Sequence, residues 1–238
     1  MSQTTQDSAR PGRAAATQAK IIATAERLFA ERGVASVSLA EINSASEQRN
    51  RNAVQYHFGD KQKLLQAIFD KHAPGVHAHR DALLDAIESS QASWSLDDLV
   101  SALVIPVAEK LNDPDGGEAY VRIPAQLAFS TAGTFYSPPH TDHLSTNREV
   151  RLGKLLAQRL KHLDSAVLEL RMVLAVDLMF HTLADHAAIR RQLDKPNPLG
   201  HTPLVVSHII DSITALLDTP PSDRSRELQR DYLRQLEQ

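Results

Sequence analysis

The chain has 238 residues, of which 42% are hydrophobic and 23% charged, a composition typical of a folded globular protein. It contains no cysteine, which excludes disulfide scaffolds, zinc-thiolate sites, iron-sulfur clusters and cysteine nucleophiles. No apolar segment reaches the about 18 residues of a membrane-spanning helix, and the polar N-terminus lacks the apolar core of a secretory signal. We therefore expect no membrane partner and a cytoplasmic protein.

Charge is distributed unevenly along the chain, although the net charge is only −3. Residues 1–63 hold nine Lys and Arg against six Asp and Glu, while residues 64–238 hold seventeen against twenty-three. This asymmetry predicts a small segment that faces an anion, attached to a larger, acidic body with a different task.

The N-terminal third has the pattern of several short helices. Residues 1–13 are polar and predict a disordered arm, and an apolar stripe from Ile21 to Phe29 predicts a helix that begins at Ala14 and stops at Gly33. Ser38 and Glu41 form a capping-box pattern that predicts a second helix from about Leu39. A third short helix is expected from about Arg51 to Phe58, and a fourth after Gly59 and Asp60.

Beyond residue 73 the chain is a series of amphipathic stretches, with a first break expected at Pro74-Gly75. No stretch alternates at period 2, so the fold class is all-α. We expect helices at about 77–90, 97–111, 118–131, 144–162, 165–192 and 203–218. The domain prediction is an arm at 1–13, a helix-turn-helix domain at 14–60, a helical body at 61–218 and a polar tail at 219–238, which is expected to be a solvated or edge helix.

The third helix and the turn before it carry side chains suited to nucleic acid. Asn and Gln can pair with adenine and Arg with guanine at the major-groove edge, and Tyr, His and Lys suit phosphate oxygens. The helix dipole disfavours a Lys near a helix N-terminus, so a Lys at such a position favours an anionic partner. The alternative is a solvated loop. The predicted contacts to double-stranded DNA are Ser38, Arg49, Asn50, Arg51, Asn52, Gln55, Tyr56, His57 and Lys61.

At these residues the sequence resembles the TetR family of transcriptional regulators. The resemblance rests on Ser38-Leu39-Ala40-Glu41-Ile42 and on the run from Ala53 to Leu65, and it covers about residues 17–70. The Gln-Arg-Asn turn with Val-Gln-Tyr-His-Phe-Gly indicates a subgroup of that family. The segment between Ile42 and Phe58 looks one residue longer than the common pattern, Glu47 stands where a glycine is usual, and Gln55 replaces the usual tyrosine.

The resemblance implies an N-terminal helix-turn-helix domain and a C-terminal helical domain for ligand binding and dimerisation. By the same resemblance, the helices at about 165–192 and 203–218 form the seam of a homodimer that binds a palindromic operator. A small apolar or amphipathic ligand in the body is expected to release the DNA, as in a repressor. No cofactor is expected.

The middle helices of the body offer candidate residues for that ligand pocket. Arg122 and Gln126 are one helical turn apart and could face one ligand, with the Arg favouring an anionic group. The alternative is ordinary core and interface, with Arg122 paired to a nearby acid. The predicted lining is Leu103, Val107, Arg122, Gln126, Phe129, Met172, Val176 and Phe180.

Other functions have weaker support in the sequence. Asp177, His181 and Asp185 share one helix face and could bind a divalent cation, but a hydrogen-bonded stripe between helices explains them better, so no metal is predicted. No phosphate-binding loop, nucleophile elbow or His-Glu-x-x-His motif is present, and we expect no enzyme. The alternative function is a helical small-molecule carrier or enzyme with an incidental basic N-terminal segment.

Overall fold

The computed structural model describes residues 10–48, 50–90, 93–127, 147–193 and 197–236. Within these ranges the protein is all-α and has no β-strand, as the sequence predicts. Short 3-10 helices lie at Glu109–Asn112 and Pro198–Gly200. The α-helices are α1 (Arg10–Arg32), α2 (Leu39–Ala45), α3 (Ala53–Phe58), α4 (Lys61–Ser89), α5 (Leu96–Ala108), α6 (Gly117–Leu127), α7 (Asn147–Arg159), α8 (Ser165–Gln192), α9 (Thr202–Asp218) and α10 (Asp223–Leu236).

Helix α1 ends where the sequence predicts. Gly33 has a φ of +91° and donates its N–H to the Phe29 carbonyl 3.0 Å away, so a residue without a Cβ closes the last turn. The beginning differs from the prediction, because α1 starts at Arg10 instead of Ala14 and takes in part of the expected arm. Pro11 lies in the first turn, where the missing N–H of a proline costs no helical hydrogen bond.

The predicted break at Pro74-Gly75 is wrong, because helix α4 runs without interruption from Lys61 to Ser89. Pro74 and Gly75 are not buried, so the backbone carbonyl that loses its helical donor lies on the solvent side. The other side of the helix carries buried residues at every fourth position, and this stripe favours one long helix. The stripe consists of Leu64, Ile68, His72, Val76, Arg80 and Leu84.

Two hydrophobic cores lie along α4. The first, which we call the head core, joins α1, α2 and α3 to Leu64 and Ile68 of α4 and to Ala119 and Ile123 of α6. The second, the body core, joins Val76 and Leu84 to α5, α7, α8 and α9. The head is therefore not closed at residue 60, since both α4 and α6 supply part of its interior.

The remaining helices follow the predicted ones with small shifts. Helix α8 at Ser165–Gln192 agrees with the prediction in both bounds, and α9 begins one residue early at Thr202. Helix α7 ends at Arg159, three residues before the expected end, and the expected beginning of that helix at 144 lies outside the described residues. Helix α6 is described only to Leu127, so the end of the predicted 118–131 helix lies outside them as well. The polar tail forms α10, a largely exposed helix as expected.

Candidate nucleic-acid interface

A buried asparagine fixes the position of α3 in the head. The Asn43 side chain, on α2, donates from Nδ2 to the Asn50 carbonyl at 3.0 Å and accepts from the Val54 N–H at 3.2 Å. The amide therefore holds both the turn and the first turn of α3, whose own N-cap residue, Asn52, makes no side-chain cap. The sequence-based prediction missed Asn43. The signal that could have identified it is a polar residue directly after the core residue Ile42.

The turn before α3 contains a residue in the left-handed region. Glu47 has a φ of +54°, which agrees with its place at a position where the resemblance expects glycine. Its carboxylate accepts a hydrogen bond from Lys20 Nζ on α1 at 2.7 Å, and this bond lowers the pKa of Glu47. The ion pair ties the turn to α1 and partly compensates for the backbone conformation.

The solvent face of α3 presents the polar groups that the sequence singles out. Ala53 and Val54 are buried in the head core, whereas Gln55 and Tyr56 point outward, and the Tyr56 side chain is 81% exposed. The rings of Tyr56 and His57 meet edge to face with centroids 5.1 Å apart. Asn50, Arg51 and Asn52 are also exposed, so the turn and α3 together form one polar surface.

Ser38 and Lys61, two further predicted DNA contacts, already have contacts within the head. Ser38 caps α2: its hydroxyl accepts from the Glu41 N–H at 3.2 Å, and the Glu41 carboxylate accepts from the Ser38 N–H at 2.8 Å. Lys61 Nζ donates to the Val34 carbonyl at 2.9 Å, which leaves two further N–H donors on the ammonium group. Arg49, also predicted to contact DNA, lies outside the described residues.

The α2 capping box has a strong electrostatic effect on its acid. The Ser38 N–H, the Ser38 hydroxyl and the Arg32 guanidinium together lower the pKa of Glu41 to about 2. Arg32, at the last turn of α1, is 2.8 Å from the Glu41 carboxylate. The charged form of Glu41 therefore links α1 to the beginning of α2.

A buried polar cluster joins the head to the body. Glu26 of α1 is nearly fully buried and contacts His72 Nε2 at 2.8 Å and Lys71 Nζ at 3.0 Å, both on α4. Lys71 also reaches Asp115, in the loop before α6, at 2.8 Å. Burial alone would lower the pKa of Lys71, but the hydrogen bonds with Asp115 and Glu26 outweigh burial and raise it. Sequence reasoning missed this cluster because its members are far apart in the chain.

Gln126 makes a second connection between head and body. Its Nε2 donates to the Phe29 carbonyl at 3.1 Å and its Oε1 accepts from the Val34 N–H at 2.9 Å. Both ends of the Gln126 amide, predicted to line the ligand pocket, are therefore held by the end of α1 and the following loop.

The other predicted pocket residues fall into three groups. Arg122 lies 3.4 Å from Glu118, which Arg191 also contacts, so it is paired to a nearby acid. Phe129 lies outside the described residues. Leu103 and Val107 are buried in the body core, Met172 and Phe180 pack against that core, and Val176 is half-buried on α8.

The acid and histidine stripe on α8 does not form a recognisable metal centre. Across the described ranges, no group of three or more His, Asp or Glu side chains has a suitable arrangement. Within those same ranges, no helix is both long enough and apolar enough to cross a membrane.

Part of the head is similar to a known protein family. Residues 21–68 match the model described as bacterial regulatory proteins, tetR family. Over 73 residues the chain is 41% identical to the HTH-type transcriptional regulator TtgR and to the probable HTH-type transcriptional regulator ArpR, both of Pseudomonas putida. Each match covers 31% of this chain and 32% of the relative, so it spans about a third of the relatives' length.

A solved structure is similar over a longer part of the chain. The crystal structure of a TetR-family regulator from Streptomyces coelicolor A3 covers 90% of this chain and 100% of its own, with 19% identity and a TM-score of 0.46. Residues 21–68, which match the tetR family model, include α2, α3 and part of α1.

Proposed function

We propose that this chain is a transcriptional regulator of the tetR family, and specifically a repressor that binds a palindromic operator as a homodimer and leaves it when a small molecule binds the body. The observation that carries the proposal is the polar, exposed face of α3 within a segment that matches the tetR family model. The Gln-Arg-Asn turn and the Val-Gln-Tyr-His-Phe-Gly helix support the further proposal that it belongs to a subgroup of that family.

The geometry supports two kinds of contact on the proposed DNA-binding surface, to base edges and to phosphates. Arg51, Asn52 and Gln55 are exposed at the beginning of α3, where a recognition helix contacts base edges. Tyr56 and Lys61 lie further along and suit phosphate oxygens, since each has a free hydrogen-bond donor on a partly or fully exposed side chain. The remaining proposed contacts are Ser38, Arg49, Asn50 and His57.

Selection from a random DNA library tests this function whatever the sequence of the operator. The expected result is an enriched palindrome whose half-sites lie about one helical turn apart, bound with an affinity that falls steeply as salt rises. A gel shift with the DNA upstream of its own gene provides a second substrate. Failure to enrich any sequence, together with equal binding to all DNA, would argue for the carrier or enzyme alternative.

The proposed homodimer is supported by apolar side chains that α8 leaves exposed. Leu170, Leu174 and Leu178 are 60%, 47% and 38% exposed and repeat every four residues, so they form one stripe. Such a stripe on a soluble protein marks an interface. Ile210 of α9, in the second helix that the resemblance assigns to the seam, is buried in the body core, so a change there would not test the interface.

Replacing Leu174 by Ser tests the dimer directly. Because this side chain already faces solvent in the subunit, the variant should keep its helical content and lose dimer affinity. Sedimentation equilibrium measures the dissociation constant, and Glu169→Ser, a change at an exposed polar position of the same helix, provides the control. An undisturbed monomer of the unaltered chain at micromolar concentration would overturn the proposed arrangement.

The proposed ligand is small and largely apolar, because the predicted lining residues Leu103, Val107, Met172 and Phe180 belong to the body core or pack against it. For release, it must bind the DNA-incompetent form more tightly than the DNA-bound form. A screen of hydrophobic acids against their neutral analogues, read by thermal stability and operator affinity in parallel, tests this. Since Glu118 already pairs with Arg122, an acid should have no advantage through that residue.

A further inference from the structure

The connection between α2 and α3 is long for a helix-turn-helix. It consists of residues 46–52, whereas about three or four residues are usual in such a turn. A longer connection has more conformations available, so by itself it holds the following helix less firmly. Helix α3 has only 6 residues, and a helix of that length is not stable alone. The position of α3 therefore depends on contacts that other parts of the head provide.

The first part of this connection is held by the main chain of Asn43, on α2. Ser46 is fully buried, and its hydroxyl donates to the Asn43 carbonyl at 3.0 Å. The Gln48 N–H donates to the same carbonyl at 3.5 Å. Both contacts keep the beginning of the connection folded against the end of α2.

The last part of the connection is held by the side chain of the same residue. The Asn43 amide donates to the Asn50 carbonyl and accepts from the Val54 N–H. The residues proposed to contact base edges lie between these two backbone groups or directly after the second one. They are Arg51, Asn52 and Gln55. One buried side chain thus fixes both ends of the segment that presents them.

The amide group matches the two backbone groups that it joins. The Asn50 carbonyl needs a donor and the Val54 N–H needs an acceptor, and an asparagine side chain offers both from one planar group. Asn52, the N-cap residue of α3, makes no side-chain cap, so Asn43 supplies a cap from the neighbouring helix. Asn43 and Val54 are both buried, and a buried N–H that loses its acceptor is unfavourable.

We propose that Asn43 is a positioning residue for operator recognition, which acts through α3 and the turn before it. The proposal rests on the proposed DNA-binding function. Asn43 is 6% exposed, so its effect on DNA passes through the backbone that it holds. Groups that recognise a partner need to be held within about 0.5 Å of their working positions. Release of this segment should therefore impair base recognition more than the general attraction to phosphates.

Binding of the selected operator and of a scrambled duplex, at one salt concentration, tests the proposal. The measured quantity is the ratio of the two affinities. Asn43→Leu removes both side-chain contacts at similar volume and should lower this ratio roughly tenfold, because a displaced α3 loses at least one bidentate base contact. Asn43→Asp keeps an acceptor for the Val54 N–H and loses the donor, so its ratio should fall less.

Thr24→Val provides the control for a loss of stability. Thr24 is buried on α1, and its hydroxyl donates to the Lys20 carbonyl at 2.8 Å, a contact that involves neither α2 nor α3. Partial unfolding lowers the fraction of active protein and weakens binding to both duplexes alike. A variant that is only less stable therefore keeps the ratio of the unaltered chain.

Amide hydrogen exchange tests the position of α3 without DNA. In Asn43→Leu, the Val54 amide should exchange faster when compared with the amide of Ile68 in α4, which is part of the same core. Thr24→Val should leave this comparison unchanged. A Val54 amide that is equally protected in Asn43→Leu and in the unaltered chain would overturn the proposal.

The outcomes distinguish this role from the DNA-binding function itself. If the Asn43 variants keep the affinity ratio of the unaltered chain, Asn43 only stabilises the head, and the proposed function stands. If Asn43→Leu does not fold, Asn43→Asp gives the same decision. If the unaltered chain selects no operator, the proposed function fails and the positioning role fails with it.

Discussion

Single residues on α3 and at its edge separate base recognition from phosphate contact. Gln55→Ala should lower operator affinity by about 1–3 kcal/mol at one base position, because a bidentate amide contact reads one base. Lys61→Ala should weaken all sequences alike and reduce the salt slope by about one unit. Titration of operator and scrambled DNA at several salt concentrations measures both effects. Equal affinity of both variants and the unaltered chain would contradict the assignment.

Glu47 is a second test at the residue scale, because its left-handed backbone is unfavourable for a residue with a Cβ. Glu47→Gly should raise the free energy of unfolding, since the relief of backbone strain exceeds the value of an exposed ion pair. Glu47→Ala removes the pair with Lys20 but keeps the strain, so it is the matched control. Chemical denaturation should rank Gly above Ala, and the reverse order would refute the explanation.

At the scale of elements, the capping box of α2 should make the head sensitive to acid. The pKa of Glu41 is lowered to about 2 in the folded protein from a usual value of 4.5. A lowered pKa adds stability above the unfolded value, and this stability is lost as pH falls from about 4.5 towards 2. Glu41→Gln should flatten the decline in melting temperature across that range. A decline as steep as that of the unaltered chain would indicate that other carboxylates dominate.

The connection of α6 to α1 is also a property of elements. Gln126→Leu should cost about 1–3 kcal/mol, because the Val34 N–H loses its partner in a partly buried place. The Phe29 carbonyl keeps the Gly33 N–H as a donor, so the loss is mainly at Val34. Calorimetric unfolding measures the change, with Gln158→Leu on the exposed side of α7 as control. Identical melting of both variants would show that the contact is dispensable.

At the scale of the whole molecule, the head and body are held together by a buried polar cluster as well as by apolar packing. Gly116 has a φ of +82° and lies against the Glu26 carboxylate, so a Cβ there would displace the acid from His72 and Lys71. Gly116→Ala should therefore destabilise the protein by more than about 1 kcal/mol. Gly153→Ala on α7, where a Cβ meets open space, is the control. Hydrogen exchange should show reduced protection of the backbone amides at the end of α1 and in α4 of the Gly116→Ala variant. Equal protection in both variants would contradict this explanation.

Local sequence signals were sufficient for much of the head. The Ser38 and Glu41 capping box, the stop at Gly33 and the apolar stripe of α1 are each set within a few residues, and the structure confirms them. The exposed side chains of α3 follow in the same way from Ala53 and Val54 turning inward. The resemblance adds the family, which the match over residues 21–68 supports.

The sequence by itself determined the all-α class, the basic head and the polar surface around α3, because periodicity, caps and composition act over one or two helical turns. Tertiary structure decided that α4 continues through Pro74, since a buried stripe shared by two cores outweighs the local break. It also decided the partners of Gln126 and Glu26. The side chain of Gln126 contacts residues that are 92 and 97 positions away in the chain, and the side chain of Glu26 contacts residues that are 45 and 46 positions away. Such contacts depend on how helices pack, and no local pattern encodes them.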